Sequence, residues 1–128
     1  MLAQLRGSSI VIPGLATAHS HAFQRGLRGR TQRPQSAVGS FWSWREGMYR
    51  LAEGLDPETI YALSHLAYVE LALAGVTAIG EFHYVHHQAD GTPYDDRTEL
   101  AEAVIRAARD AGLRISLLRV LYHRAGAG

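Results

Sequence analysis

The sequence predicts a mixed α/β fold that supplies about three βα units of a parallel-stranded barrel. Helical and extended patterns alternate along the chain in the order β, α, α, β, α, β. The strings Ala74-Gly75-Val76 and Ala111-Gly112-Leu113 each end a helical pattern and begin an extended one, 37 residues apart, which is about the length of one βα unit. The three longer extended segments end in histidine or in an aromatic residue beside one, and a barrel gathers such strand ends at its active-site mouth.

Extended segments begin the chain. Residues 8–14, SSIVIPG, predict a short strand that the pair Pro13-Gly14 ends. Residues 15–22, LATAHSHA, predict a second extended segment, which carries His19 and His21. Residues 25–40 are rich in arginine and glycine, and we expect them to form a loop.

Two helices come next. Ser40 is the predicted N-cap of a helix over residues 41–53, which Gly54 ends. Asp56-Pro57 is a strong start for the second helix, because proline suits the first helical turn. Apolar residues at spacings of three and four give this helix one apolar face: Ile60, Leu63, Ala67, Leu71 and Ala74.

The rest of the chain alternates strand, helix and strand. Residues 76–84, VTAIGEFHY, and residues 113–122, LRISLLRVLY, predict strands. Between them, Asp96 is the predicted cap of a helix that ends at Gly112. The apolar face of that helix consists of Leu100, Val104, Ala107 and Ala111.

Composition narrows the class of protein. At 128 residues with 47% hydrophobic content, the chain fits one domain, residues 1–128, with its own core. It has no run of 18 apolar residues and no signal-peptide pattern, so we expect a soluble cytoplasmic protein without a membrane segment. The absence of cysteine excludes disulfides and Cys-type zinc sites and leaves His, Asp and Glu as strong metal ligands. A net charge of +1 gives no reason to expect nucleic-acid binding.

The two histidines in ATAHSHAF form a candidate metal clip. On a strand, residues i and i+2 face the same way, about 6.5 to 7 Å apart along the chain, so His19 and His21 could converge on one ion if the strand twists or ends there. An isolated His-x-His pattern is more often explained by surface or core histidines. The small-residue strand after a Pro-Gly turn favours the metal interpretation here.

The string VIPGLATAHSHAFQRGLRG resembles the start of the catalytic barrel in the amidohydrolase superfamily, where a Pro-Gly turn leads into a first strand whose His-x-His binds a divalent metal. The strings SFWSWREGMYRLA and GEFHYVHH, in that order, resemble the formimidoylglutamate deiminases within that superfamily. This resemblance runs over nearly the whole chain. It implies a partial (β/α)8 TIM-type barrel of the metal-dependent hydrolase kind, with about the first three βα units.

The resemblance also implies roles for four residues. His19 and His21 match the first two zinc ligands of the family, while Gln24 and Tyr84 match residues that contact the substrate. The implied reaction is the hydrolytic deimination of N-formimino-L-glutamate to N-formyl-L-glutamate and ammonia, in histidine degradation. Zinc would lower the pKa of a bound water, which attacks the formimino carbon while acid-base groups move protons.

The chain departs from the family in length. A barrel of this kind normally has eight βα units and about 250 residues, whereas about three units are present here. The third zinc histidine, the acid-base glutamate, a second histidine near the metal and the metal-binding aspartate have no match, so no catalytic residue is expected within these residues. The chain therefore resembles an N-terminal fragment that is inactive alone, with residues 1–13 a possible remnant of the small β domain that precedes the barrel.

Other residues have simpler interpretations. Of the remaining histidines, His65 is expected to be structural, and a solvated or supporting role is favoured over metal binding for His83, His86 and His87. Packing is favoured over substrate contact for the aromatic residues Trp42, Trp44 and Tyr49. The basic run Arg25, Arg28, Arg30 and Arg33 could attract an acidic substrate but is more typical of a solvated loop. Glu81 is expected to hydrogen-bond a neighbouring basic group.

Two alternatives to the deiminase remain open. One is another amidohydrolase, such as a nucleobase deaminase or a triazine-type hydrolase, against which the FWSWRE and EFHY strings argue. The other is a non-catalytic module made from a truncated barrel. The expected partners are a small-molecule substrate and a second copy of the chain, because strands at a cut barrel edge expose unpaired backbone groups.

Overall fold

The computed structural model describes residues 3–31 and 41–122, and these form two sheets and a layer of helices. A three-stranded parallel sheet has the order β3-β4-β5, and the first two strands form a separate antiparallel hairpin. The strands are β1 (Gln4–Arg6), β2 (Ser9–Val11), β3 (Leu15–Ser20), β4 (Val76–His83) and β5 (Arg114–Arg119). The helices are a 3₁₀ helix (Ala22–Leu27), α1 (Phe41–Glu53), α2 (Pro57–Leu73) and α3 (Glu99–Asp110). The α/β class and the parallel sheet are as predicted.

The N-terminal part differs from the prediction in two ways. The single strand expected over residues 8–14 is the second arm of a hairpin whose first arm, β1, was not predicted. The loop expected from Arg25 onward begins later, because residues 22–27 form the 3₁₀ helix. Ala22, Phe23 and Leu27 are buried in the core, and this packing holds the segment in helical form. The predicted N-cap Ser40 lies outside the described residues.

Helix α2 begins at the predicted cap. The Asp56 carboxylate accepts a hydrogen bond from the Thr59 N–H at 2.7 Å, and the Thr59 hydroxyl accepts one from the Asp56 N–H at 2.9 Å, forming a capping box. Its fully buried residues are Ile60, Ser64 and Tyr68. The predicted apolar face was right, since Leu63, Ala67 and Leu71 also pack against the core, but it omitted the two polar members. Helix α2 packs against α3, β4 and the 3₁₀ helix, so its buried stripe is wider than its apolar residues indicate.

Helix α3 has the predicted apolar face but a different cap. Leu100, Val104 and Ala107 are buried. The N-cap is Thr98 rather than Asp96. The Asp96 carboxylate instead accepts hydrogen bonds from the N–H and the hydroxyl of Thr98, at 2.8 and 2.6 Å, so it closes a turn just before the helix.

The two helix-to-strand turns share one conformation. Gly75 and Gly112 have φ angles of 86° and 77°, in the left-handed region that glycine adopts at helix C-termini. Each glycine is followed within two residues by a strand of the parallel sheet. The 37-residue repeat in the sequence therefore marks a repeated structural turn.

A β-bulge interrupts the pairing of β3 with β4. Thr17 pairs with Ile79 and Ser20 pairs with Glu81, so three steps along β3 match two steps along β4. Gly80 lies opposite the bulge, and a Cβ atom at that position would be 2.7 Å from the backbone oxygen of Ala18. Only glycine lets the two backbones approach this closely.

Within the described residues, no helix combines the length and the apolar character that crossing a membrane requires.

Replacing Gly80 should therefore destabilise the protein. Gly80→Ala would force the bulge backbone apart, and we expect it to lower the free energy of unfolding by about 1–3 kcal/mol in urea titrations. Gly54→Ala is the matched control, because its Cβ would meet its nearest neighbour, the Leu51 oxygen, at an ordinary 3.6 Å. Equal unfolding midpoints for the two variants would contradict this account.

The outer strands of the parallel sheet predict self-association of the isolated chain. Strands β3 and β5 each pair on one side only among the described residues, and Leu15 and Leu118 on them are 53% and 50% exposed. We expect the 128-residue chain to form oligomers at tens of micromolar concentration, measured by light scattering. A monodisperse monomer would contradict this expectation.

Candidate active site

His19 and His21 bring their Nε2 atoms together at the C-terminal end of β3. The two atoms are 2.9 Å apart, and the rings meet edge to face with centroids 4.5 Å apart. The bulge at the end of β3 gives the strand the twist that this convergence needs. Two histidine nitrogens on one tetrahedral zinc ion, each about 2.0–2.1 Å from it, would lie about 3.3 Å apart. The pair is thus spaced to share one metal ion after a small adjustment.

The backbone of β4 orients the imidazole of His21. Its Nδ1 lies 2.9 Å from the carbonyl oxygen of Phe82, so Nδ1 carries the proton and donates it. This tautomer leaves the lone pair of Nε2 free for a metal ion, as is usual for metal-binding histidines. The Phe82 ring also packs against both imidazoles, with centroid distances of 5.7 Å to His19 and 5.3 Å to His21.

Gln24 and Tyr84 lie beside the histidine pair and contact each other. The Gln24 amide donates a hydrogen bond to the Tyr84 hydroxyl at 2.9 Å, and the Tyr84 ring centroid is 5.2 Å from that of His21. Burial raises the pKa of Tyr84 above its usual value, and the hydrogen bond from Gln24 only partly opposes this. The hydroxyl is therefore neutral at neutral pH and can donate a hydrogen bond. The sequence prediction that these residues share one site with His19 and His21 agrees with this geometry.

The four residues open into a cavity of about 1080 Å³. Its opposite wall is one face of α1, formed by Phe41, Trp44, Arg45, Met48 and Tyr49. The packing role predicted for the aromatic residues is correct for Trp44, which also packs against the core. It is wrong for Trp42 and Tyr49, which are 56% and 44% exposed, because Tyr49 lines the open cavity and Trp42 faces solvent.

Arg45 is a site residue that sequence reasoning missed. Its Nε and Nη2 atoms both donate to the Tyr49 hydroxyl, at 2.9 and 2.8 Å, and the guanidinium lies 5.5 Å from the Trp42 ring centroid. No carboxylate pairs with it among the described residues. Arg45 is three residues after Trp42 and four before Tyr49, so the three side chains share one helix face. This spacing in the sequence could have identified Arg45.

Unlike Arg45, arginines of the basic run after β3 form ion pairs. Arg25 forms a two-pronged ion pair with Glu70 of α2, with both N–O distances 2.7 Å, and Arg28 lies 3.4 Å from the same carboxylate. The expectation of a solvated loop is therefore wrong for Arg25, because α2 places an acidic partner against it. Arg33 lies outside the described residues.

The sequence profile of the amidohydrolase family matches residues 10–126. The chain belongs to the amidohydrolase family. Among characterised amidohydrolases, it is 48% identical to formimidoylglutamate deiminase from Pseudomonas aeruginosa over 118 residues, which cover 92% of this chain and 26% of that relative.

Solved structures of amidohydrolases share the fold. An amidohydrolase from Brucella melitensis superposes with a TM-score of 0.77 and 39% identity, over 91% of this chain and 30% of the other. The atrazine chlorohydrolase from Arthrobacter aurescens, in complex with zinc, has a TM-score of 0.66 and 26% identity, over 84% of this chain and 23% of the other. The chain thus spans between 23% and 30% of the length of these relatives.

The amidohydrolase site is only partly present in this segment. Within residues 3–31 and 41–122, no three His, Asp or Glu side chains are grouped closely enough to hold a metal ion. The pair of His19 and His21 can supply two ligands, and a tetrahedral site needs others. The third of the extended segments that we expected to end at the barrel mouth is followed by His123, which lies outside the described residues.

His83 departs from its expected role as a member of a solvated cluster. It is 3% exposed, and its Nε2 atom has no hydrogen-bond partner among the described residues. The alternation of β4 turns Ile79, Glu81 and His83 toward the helices, away from the cavity. Burial, together with smaller contributions from the nearby charges of His86 and Arg119, lowers the pKa of His83 to about 4.

The buried His83 should make the protein less stable in mild acid. Because its folded-state pKa lies below the unfolded value of about 6.5, the unfolded chain binds more protons between these values, and stability falls as pH falls from 6.5 toward 4. We expect His83→Leu to remove roughly 2 kcal/mol of the stability lost between about pH 7 and pH 5, in urea titrations at both values. Ser64→Ala, a change at a buried side chain that does not ionise in this range, is the control and should leave that loss unchanged.

Proposed function

We propose that this chain contributes about the first three βα units of a (β/α)8 barrel that hydrolyses N-formimino-L-glutamate to N-formyl-L-glutamate and ammonia. Water replaces the imine nitrogen at the formimino carbon, and the nitrogen leaves as ammonia. The parallel order β3-β4-β5 and the helices that cover one face support a barrel segment. Such a reaction belongs to histidine degradation.

The main support for this proposal is that the sequence similarity to a deiminase and the positions of the site residues in the structure agree. The chain is 48% identical to a formimidoylglutamate deiminase. Independently of that likeness, the structure brings His19, His21, Gln24 and Tyr84 to one cavity. Those four residues were identified from the sequence alone.

The histidine pair fits a zinc ion. His19 and His21 would bind it through their Nε2 atoms, and the hydrogen bond from His21 Nδ1 to the Phe82 oxygen keeps one of those atoms unprotonated. Bound zinc supplies a water molecule of lowered pKa, so that a nucleophile is available at neutral pH. The zinc complex of the related atrazine chlorohydrolase supports the choice of metal.

Substrate binding falls to the polar residues around the histidines. The Gln24 amide uses its N–H on Tyr84, which leaves its carbonyl oxygen to accept a hydrogen bond from the formimino nitrogen. The neutral Tyr84 hydroxyl can donate to a substrate oxygen. Arg45 on the facing wall has the charge and the planar donors that a substrate carboxylate needs. N-formimino-L-glutamate carries two carboxylates, one of which Arg45 could bind, while Glu53 is an acidic member of the same lining.

A second candidate is a different amidohydrolase reaction, on a flat ring such as a triazine or a nucleobase. Its support is the structural likeness to atrazine chlorohydrolase. At 26% identity this likeness is weaker than the 48% identity to the deiminase. A cationic side chain on the wall of the cavity also suits an anionic substrate better than a neutral ring.

Substitutions at the site should separate metal binding from substrate binding in the full natural protein that contains this chain. His21→Ala should remove zinc and activity together, because a lost ligand opens the metal site. Gln24→Ala should retain zinc and lower kcat/KM by about 10-fold or more, because its contact is to the substrate. Zinc content and ammonia release are measured on the same samples.

The controls distinguish the candidates. The isolated 128-residue chain should bind zinc weakly and release no ammonia, since two histidines leave at least half of the coordination sphere to water. A nucleobase and a triazine are tested beside N-formimino-L-glutamate. Turnover of a ring substrate alone would refute the deiminase, and full zinc content in His21→Ala would refute the metal site.

A further inference from the structure

A buried carboxylate lies directly behind the histidine pair. Glu81 on β4 is 2% exposed and faces the helices rather than the cavity. Its Oε1 atom accepts a hydrogen bond from the backbone N–H of Ala22 at 2.8 Å. Ala22 follows His21 directly, so Glu81 holds the peptide group that joins His21 to the 3₁₀ helix. The basic side-chain partner expected for Glu81 from the sequence is in fact this backbone N–H.

The N–H of this peptide group needs a hydrogen-bond acceptor from outside the 3₁₀ helix. His21 has φ −131° and ψ 76°, outside the regular strand and helix conformations, where the chain turns sharply from β3 into the 3₁₀ helix. The first N–H groups of a helix have no partner within it. The Ala22 N–H is buried and finds its acceptor on a strand 59 residues away, so the turn is tied to the same strand that orients the His21 ring.

Core packing does not account for a carboxylate in this position. Burying an ionisable group costs free energy unless hydrogen bonds compensate, and a charge-assisted bond to a backbone N–H is among the stronger ones. The other side of Glu81 faces the buried Tyr68, whose pKa is raised by burial and also by the Glu81 carboxylate. Neither Glu81 Oε2 nor the Tyr68 hydroxyl has a fully formed hydrogen bond among the described residues. The bond from the Ala22 N–H is thus the one well-formed hydrogen bond to Glu81 among the described residues, beside its electrostatic interaction with Tyr68.

The far end of the 3₁₀ helix is fixed as well. Arg25 is clamped by Glu70 at 2.7 Å, and a Cβ on Gly26 would meet the Leu51 side chain at 3.0 Å. Gln24 therefore lies between two anchors: the Glu81 bond at Ala22, and the Arg25 ion pair. The first of these anchors is the one next to the metal-binding histidine.

We propose that Glu81 is a positioning residue, which aims the His21 imidazole and the Gln24 amide into the cavity by holding the His21-Ala22 peptide group. The proposal rests on the metal and substrate roles assigned above to these two residues. Glu81 touches neither metal nor substrate, since its side chain lies on the helix-facing side of β4. Its effect passes through one backbone hydrogen bond.

The test uses two substitutions of Glu81 in the full natural protein. Glu81→Asp keeps the charge but shortens the side chain by one methylene, so it cannot reach Ala22 at hydrogen-bond distance. Glu81→Gln removes the charge but keeps an oxygen that can accept from the Ala22 N–H. Ser64→Ala is the matched control, because it removes a buried oxygen of α2 that has no partner among the described residues.

Three quantities are measured at a temperature well below unfolding: hydrogen exchange at the Ala22 amide, zinc affinity by chelator competition, and kcat/KM. We expect Glu81→Asp to speed exchange at Ala22 and to weaken zinc binding and kcat/KM by about 10-fold or more. Glu81→Gln should stay within about 3-fold of wild type on all three, since it keeps the hydrogen bond. Ser64→Ala should change thermal stability alone.

Two results would overturn the proposal. The first is unchanged exchange at Ala22 in Glu81→Asp. The second is faster exchange at Ala22 in Glu81→Asp while its zinc affinity and kcat/KM equal those of the Ser64→Ala control. That result would mean that the contact between Glu81 and Ala22 is only structural. A wild-type protein that binds no zinc would instead refute the proposed function, and the exchange measurement would then show separately whether Glu81 holds the turn.

Discussion

The bulge between β3 and β4 is the constraint on which the candidate site depends. In a regular strand, residues i and i+2 lie about 6.5 to 7 Å apart along the chain, so their imidazoles share one metal ion only where the strand twists or ends. The extra residue of β3 between Thr17 and Ser20 breaks that spacing, and the Nε2 atoms of His19 and His21 meet at 2.9 Å. The bulge in turn requires a strand partner without a side chain, which is Gly80. A glycine on one strand thus determines the geometry of histidines on another.

Strand β4 serves both faces of the sheet at once. On the cavity side, the Phe82 ring packs against both imidazoles, and the Phe82 carbonyl oxygen accepts a hydrogen bond from His21 Nδ1. On the other side, Glu81 and His83 are buried, and a carboxylate and an imidazole are unusual in the interior of a protein. Because side chains alternate between the two faces of a strand, the eight residues of β4 both line the cavity and supply buried contacts on its other side.

Local signals predicted most of the elements. The Asp56-Pro57 start, the apolar spacing of α3 and the glycines at the ends of two helices all act within a few residues of the chain, and all agree with the structure. The errors occur where a distant segment decides. Residues 22–27 are helical because the core lies beside them, and Arg25 is paired because α2 presents Glu70. Ser64 and Tyr68 are buried because three elements surround α2.

The same division applies to the site. The sequence by itself determined the family and the α/β order, and its resemblance to the deiminases implied the roles of His19, His21, Gln24 and Tyr84, because motifs depend on residue type and on spacing along the chain. Only the tertiary structure decided that Arg45 faces them across the cavity and that Glu81 bonds to Ala22. Both facts join segments that are far apart in the chain, and no local pattern records which distant backbone atom a side chain will meet once the strands and helices have packed.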